Sequence, residues 1–306
     1  MSKRKRPAST AGDDSRFRCG HVAIVGRPNV GKSTLMNALV GARVSITSNK
    51  PQTTRHRVLG IATTAAAQFI FVDTPGFQTL HRSLLNERMN RQVRDSVADV
   101  DVIVVVLEAV KLTDADRTVM ALLPEQVPAI AVVNKIDRLA DKTRLLPYLA
   151  SVAEAHEFSA IVPISAEKHM ALDALSAEIA KALPVGPALF PADDLTDRDE
   201  RFIAAEYLRE KIFRLLGDEI PYATTVAVDT FEVDGALRRI HATVYVDRTS
   251  QRAIVLGEGG TTIKRIATEA RQDMEVMFGG KVFLEVWVRV KSGWADDERL
   301  LKRLGY

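Results

Sequence analysis

The stretch Gly26-Arg27-Pro28-Asn29-Val30-Gly31-Lys32-Ser33 decides the fold of this chain, because it fits the phosphate-binding pattern G-x-x-x-x-G-K-[ST] without a gap. The apolar run His21-Val22-Ala23-Ile24-Val25 before it predicts a buried strand. The segment Lys32 to Val40 after it predicts a helix, with Gly41 placed to stop it. In a strand–loop–helix setting, glycines let the backbone wrap a triphosphate, and successive N–H groups point inward at a helix N-terminus, where the dipole favours an anion. Gly26 to Gly31 are expected to wrap the phosphates, and Lys32 to neutralise the β- and γ-phosphates. The Ser33 hydroxyl is expected to ligate Mg²⁺, with Thr34 completing the site.

Around this loop the chain reads as two domains. Its 306 residues exceed the about 100–200 usual for one, and with 46% hydrophobic residues it can build a sizeable core. A net charge of +3 neither demands nor excludes nucleic acid. The one cysteine, Cys19, rules out an internal disulfide and fits a reducing compartment. The longest apolar run, Val102 to Leu107, lies between Asp101 and Glu108 and is far short of the ~20 residues of a membrane span. Lys3-Arg4-Lys5-Arg6 is followed by no apolar stretch, so the chain is expected to be cytosolic. Residues 1–17 read as a disordered basic tail, either a solvated extension or an arm that touches RNA or anionic lipid.

From 18 to 183, short apolar strands alternate with helical patterns, which predicts an α/β domain with a mostly parallel sheet and helices on both faces. Strands are expected at 21–25, 68–72, 101–107, 128–133 and 160–164. Residues 58–63 are expected to pair with 68–72 as an edge hairpin. Ligands in such a sheet sit at the carboxyl ends of the strands. The polar segment Ser45 to Arg57 is suited to a switch loop, and its Thr54, in preference to Thr53, is expected to close on Mg²⁺ and the γ-phosphate. Asp73-Thr74-Pro75-Gly76 ends the next strand. Asp73 is expected to hold Mg²⁺ through water, and Gly76 to offer its N–H to the γ-phosphate. Phe77 to Glu87 would form a second switch.

Asn134-Lys135-Ile136-Asp137 is an N-K-x-D motif at a strand end. Asp137 can accept from the guanine N1–H and N2–H₂, a pair that adenine lacks, so it selects guanine. Asn134 can bond the purine edge and brace the phosphate loop, and the Lys135 stem can lie along the ring. Ser165 and Ala166 are expected to offer a backbone N–H to the guanine oxygen. Four motifs in order at strand ends identify a guanine-nucleotide-binding domain, with GTP/GDP and Mg²⁺ as its cofactors.

Residues 184–198, with Pro184, Gly186, Pro187 and Pro191 and an acidic cluster, read as a linker. The α+β domain expected over 199–306 starts with a Thr196–Asp199 capping box and a helix from Phe202 to Leu216. Strands follow at 222–233 and 240–246, joined at Asp234-Gly235, then a short helix at 251–256. Gly257-Glu258-Gly259-Gly260 fits G-x-x-G and opens a helix to about Met277. A last strand, Lys281 to Lys291, is expected to set Val282, Leu284, Val286, Val288 and Val290 on one face. A G-x-x-G between two helices beside a three-stranded sheet is the arrangement with which a KH module clamps four nucleotides. Lys264, Arg265 and Arg271 on the following helix either contact phosphates or form a solvated face.

The order of these motifs resembles the Era-type GTPases, a GTP-hydrolysing domain fused to a KH domain, over nearly the whole chain from Cys19. Gln52-Thr53-Thr54-Arg55-His56-Arg57 belongs to the match, as does Val290-Lys291-Ser292-Gly293-Trp294-Ala295-Asp296-Asp297-Glu298-Arg299, which looks like the family's C-terminal signature. The resemblance implies a monomeric bacterial assembly factor that binds 16S ribosomal RNA near its 3′ end on the 30S subunit. It also implies a cytoplasmic location with some peripheral association at the inner membrane. Phe77 stands where Ras-like enzymes place a water-positioning glutamine. The resemblance instead suggests that Asn29 helps hold a potassium ion in the charge role of an arginine finger. On this reading Lys32, Asn29, Thr54 and Gly76 carry catalysis. The competing readings are a GTPase switch at membranes with a protein-binding C-terminal domain, and an RNA-binding module with an inert nucleotide site. Intact Lys32, Ser33, Asp73 and Asp137 oppose the second, while the KH signals and a Leu304-Gly305-Tyr306 terminus without a lipidation motif oppose the first.

Overall fold

The computed structural model describes residues 16–50, 53–74, 99–217 and 219–303. The first half is built on six strands, β1 Arg18–Val25, β2 Val58–Thr63, β3 Ala67–Asp73, β4 Val102–Glu108, β5 Ala129–Asn134 and β6 Ala160–Pro163. Their order is β2-β3-β1-β4-β5-β6. All pairs are parallel except β2–β3, the antiparallel edge hairpin expected from the sequence. Among the described residues four helices flank the sheet: α1 Lys32–Val40, α2 Asp114–Met120, α3 Leu145–Ala155 and α4 Leu172–Ala182.

Successive strand residues point to opposite faces, so one apolar run supplies two cores. Val22, Ile24, Phe71 and Val104 pack with Leu35 of α1 and Leu175 and Ile179 of α4. Ala23, Val25, Ile103 and Val105 pack with Val119 of α2 and Val152 of α3 on the other face. This double burial is why β3, β4 and β5 are nearly continuous in apolar residues rather than alternating. The strand order reverses at β1, which lies between β3 and β4, so the loop after β1 opens into the crevice at that switch point.

The second half holds α5 Glu200–Leu215, β7 Thr224–Asp234, β8 Leu237–Val246, α6 Thr249–Leu256, α7 Thr261–Phe278, β9 Lys281–Val290 and α8 Glu298–Arg303. Its sheet runs β7-β8-β9, with β7 antiparallel and β9 parallel to β8. Tyr207, Leu208 and Ile212 of α5 and Ile266, Ala270 and Met274 of α7 cover one face, against Ile240, Ala242 and Val244 of β8. The predicted elements are present with small shifts. The expected Thr196–Asp199 capping box is not formed. Asp199 is itself the N-cap, accepting from the Phe202 N–H at 2.8 Å, while Thr196 Oγ1 accepts from the Arg198 N–H. Val290, expected inward, is 42% exposed, because the strand ends where the core does.

Residues 184–198 are not a free tether. Cys19 N–H donates to Pro184 O and Ile61 N–H to Leu195 O. The fully buried Gln68 accepts from the Leu189 and Phe190 N–H groups. The segment is strapped along the first sheet and delivers α5 beside the nucleotide loop. Ile46, from the first half, lies in the apolar core of the second.

Candidate nucleotide site and nucleic-acid interface

The phosphate loop closes tightly on its own lysine. Lys32 Nζ donates to the carbonyls of Gly26 at 2.9 Å and Arg27 at 3.0 Å. Burial pulls its ammonium down to about 8, against the opposing pull of the Asp73 charge. Gly31 has φ 102°, and a Cβ there would meet Asn134 Nδ2 at 2.4 Å, so only glycine lets the guanine motif pack against the loop. The Arg27 side chain turns away, paired to Glu108 at 2.6 Å and to the buried Asp116 at 3.2 Å, which leaves its backbone to face a ligand. Pro28, Asn29 and Thr34 line the cleft, Asn29 with φ 65°. Val30 is buried beneath.

Three hydroxyls converge on one oxygen of Asp73 at the end of β3. Ser33 Oγ and Ser45 Oγ each donate to Oδ2 at 2.7 Å, and Thr54 Oγ1 does so at 3.3 Å. Ser33 and Thr54 are also 2.8 Å apart. Asp73 is fully buried, and its Oδ1 has no hydrogen-bond partner among the described residues. An orphaned carboxylate oxygen beside two hydroxyls is a donor set suited to a hard cation such as Mg²⁺. Burial pushes the Asp73 carboxyl upward, although hydrogen bonds from Ser33, Ser45 and Thr54 and the Lys32 charge all oppose it. Thr53 has turned elsewhere, to Lys50 O and Ser48 Oγ. Thr74 Oγ1 ties back to Ile24 O. Pro75, Gly76, Phe77 and the second switch lie outside the described residues, as do the tail from 1 to 15 and the terminus 304–306.

On the base side Asn134 does the bracing. Its Nδ2 donates to Val30 O at 2.9 Å, and its Oδ1 accepts from the N–H groups of Lys135 and Ala166 at 2.8 and 3.0 Å. The Ala166 N–H, expected to face the guanine oxygen, is therefore engaged with Asn134. Lys135, with φ 67°, sends Nζ across the cleft to Asn29 O at 2.6 Å. Asp137, in the 3₁₀ turn with Ile136, is exposed on the lining of a cleft of about 680 Å³, with no hydrogen-bond partner among the described residues. Ser165 is buried, and its Oγ accepts from the Lys168 N–H.

The loop between α1 and β2 is held by the second domain. Arg55, fully buried, donates to the carbonyls of Thr224 at 2.9 Å and Pro221 at 3.0 Å. Its guanidinium lies over the rings of Phe213 and Trp294. Trp294 in turn donates Nε1–H to Ala223 O at 2.9 Å. Adjacent residues thus serve two domains, Thr54 the Asp73 cluster and Arg55 the C-terminal core. Glu210, fully buried on α5, accepts from the Thr47 N–H at 2.9 Å and pairs with Arg43 and Arg214. Ser45, Glu210 and Arg214 were not legible from the sequence. A lone serine in a polar loop and charges on an amphipathic helix carry no motif.

The G-x-x-G loop joins α6 to α7. Gly257, Gly259 and Gly260 all have positive φ, and Glu258 and Gly259 are exposed. Of the helix cations, Arg265 is paired to Glu269 and Arg271 to Glu275, both at 2.8 Å. Lys264 is exposed and has no ion-pair partner among the described residues.

Residues 21–135 match the family described as 50S ribosome-binding GTPase, and residues 219–295 match the KH domain. Over 95% of this chain and 99% of theirs, it is 56% identical to GTPase Era of Chromobacterium violaceum and 54% identical to that of Nitrosomonas eutropha. Among solved structures it is similar to a single-residue variant of Aquifex aeolicus Era bound to GDP·AlF4⁻, with TM-score 0.91 and 38% identity over 95% of this chain and 99% of that one. It is also similar to Era in complex with MgGDPNP and nucleotides 1506–1542 of 16S ribosomal RNA, with TM-score 0.91 and 37% identity over the same shares.

Proposed function

The chain belongs to the Era family of GTPases, and from that premise we propose that it is a GTP-hydrolysing switch that binds 16S ribosomal RNA near its 3′ end and assists small-subunit assembly. The observation that carries this reading is the Thr54–Arg55 step. Thr54 stands on the Asp73 cluster, and the next side chain is buried in the KH domain. A segment that answers to the γ-phosphate therefore also answers to the RNA-binding half.

In this reading Lys32 and the loop N–H groups hold the phosphates in line. Ser33, Thr54 and Asp73 would hold Mg²⁺, which when bound would supply positive charge against the charge developing on the phosphates. Asp137 selects the base, while Asn134 fixes the loop against it. Gly76 would offer its N–H to the γ-phosphate. Phe77 would leave the attacking water without a side-chain partner, so the unassisted rate is slow, ~10⁻⁴ to 10⁻² s⁻¹. Asn29 would help hold a potassium ion, which would supply the charge that an arginine finger supplies elsewhere. Gly257, Glu258, Gly259 and Gly260, with the N-terminal end of α7 and with Lys264, take the RNA backbone. Arg265 and Arg271 would have to leave their glutamates to join in. The reading places the chain in the cytoplasm as a monomer. No helix among the described residues is long and apolar enough to cross a membrane, and no described feature favours a role at one.

The test is binding of a 16S 3′-end RNA to the full chain, with GDP and with a non-hydrolysable GTP analogue. Affinity should differ between the two states. Gly260→Asp adds bulk and like charge at the phosphate approach, and should weaken RNA binding at least about tenfold while GTP binding is unchanged. RNA binding undiminished in Gly260→Asp would remove the KH loop from the function.

A further inference from the structure

One wall of the guanine-side cleft comes from the other domain. Asn29 and Thr34 line the cleft on the phosphate side and Asn134, Lys135 and Asp137 on the base side, and Arg214 of α5 lines it as well. Its position is built rather than incidental. Arg214 Nε donates to Thr47 O at 3.1 Å and Nη2 to Thr47 Oγ1 at 2.9 Å. Nη2 also pairs with Glu210 at 3.0 Å. Glu210 is fully buried and accepts from both the N–H and the hydroxyl of Thr47, so one carboxylate fixes the switch residue and the arginine together. The Arg214 side chain remains 44% exposed, and its Nη1 has no partner among the described residues. A guanidinium carries five N–H donors, so Arg214, which lines the cleft, keeps donors to spend on a ligand.

We propose that Arg214 is a nucleotide-contacting residue supplied by the RNA-binding domain, donating to a ribose hydroxyl of the bound guanine nucleotide. The inference rests on the guanine-nucleotide reading of the cleft. A nucleotide reaching from Lys32 to Asp137 must lay its ribose in between, in the cleft that Thr34, Lys135 and Arg214 line together. Its contact depends on α5 being docked on Thr47. Nucleotide residence is therefore tied to domain docking, and a partner that moves the KH domain changes how long the nucleotide stays.

The test is release of GDP from the full chain, with the label on the base so that the ribose is unmodified. Arg214→Ala should speed release about tenfold, the loss of one charge-assisted hydrogen bond, and Arg214→Gln should lie between. GDP is then compared with its 2′-deoxy and 3′-deoxy forms. The wild type should hold GDP more tightly than at least one deoxy form, and Arg214→Ala should erase that preference. A preference equal in wild type and Arg214→Ala means that Arg214 only positions the loop, and overturns the proposal. A wild type that does not bind GDP at all would instead overturn the guanine reading itself.

Discussion

Guanine selection is proposed here for one side chain, Asp137. It is exposed on the cleft lining and has no hydrogen-bond partner among the described residues, so both oxygens are open to the base. ATP should bind on the order of 10⁴ more weakly than GTP, because adenine leaves that carboxylate unpaired. Asp137→Asn should weaken GTP roughly a hundredfold and improve xanthosine triphosphate, since the donor–acceptor match is inverted. Equal affinity of the wild type for ATP and GTP in competition would sink the assignment. At Asn29 the expectation is ionic. Hydrolysis should be faster in potassium than in sodium, and Asn29→Ala should remove the difference. Identical wild-type rates in both salts refute that role.

The loop between α6 and α7 depends on one backbone geometry. Gly257 has φ 72° and ψ 175°, a region in effect open only to glycine, and a Cβ there would fall 2.2 Å from Thr262 Oγ1. Gly257→Ala should cost about 1–3 kcal/mol in backbone strain alone, with a further penalty for the clash at the start of α7. Denaturant unfolding and RNA affinity should both fall. A Gly257→Ala protein as stable as wild type would show that the loop has another low-energy shape. Elements of this kind were readable in advance, because strand and helix periods follow from local patterning. The strap over 184–198 was not. Its proline-rich texture is that of a linker, and only the buried Gln68 it caps reveals the docking.

At the scale of the whole molecule, the domains are joined by buried charge. Glu206 of α5 is buried. Burial alone would raise its carboxyl, but the charge and hydrogen bonds of Arg209, with His56 and Arg55 beyond, hold it below the ordinary value of 4.5. A lowered carboxyl stabilises above its ordinary value, and that contribution is lost as pH falls through the folded value. Docking should therefore loosen below about pH 4.5, read as exposure of Trp294 in a Trp287→Phe background. Glu206→Gln should flatten that transition, and superimposable acid profiles of the two proteins would refute it. Arg55→Ala should leave RNA affinity the same with GDP and with the GTP analogue. A surviving difference means that coupling runs elsewhere.

The two folds and the order of the strand-end motifs were legible in the residues alone, as were the residue types from which the nucleotide site is proposed. Phosphate wrapping, metal binding and guanine selection each need fixed residue types at short spacing, and Lys32, Ser33, Asp73, Asn134 and Asp137 satisfy them locally. Tertiary structure decided what crosses between the halves: Arg55 seated over Trp294, Glu210 gripping Thr47, and Arg214 in the cleft. Glu210 and Thr47 lie 163 residues apart in the chain, and their residue types are those of any charged helix face or polar loop. Their meaning comes from burial and direction, which a chain acquires only when its two cores pack together.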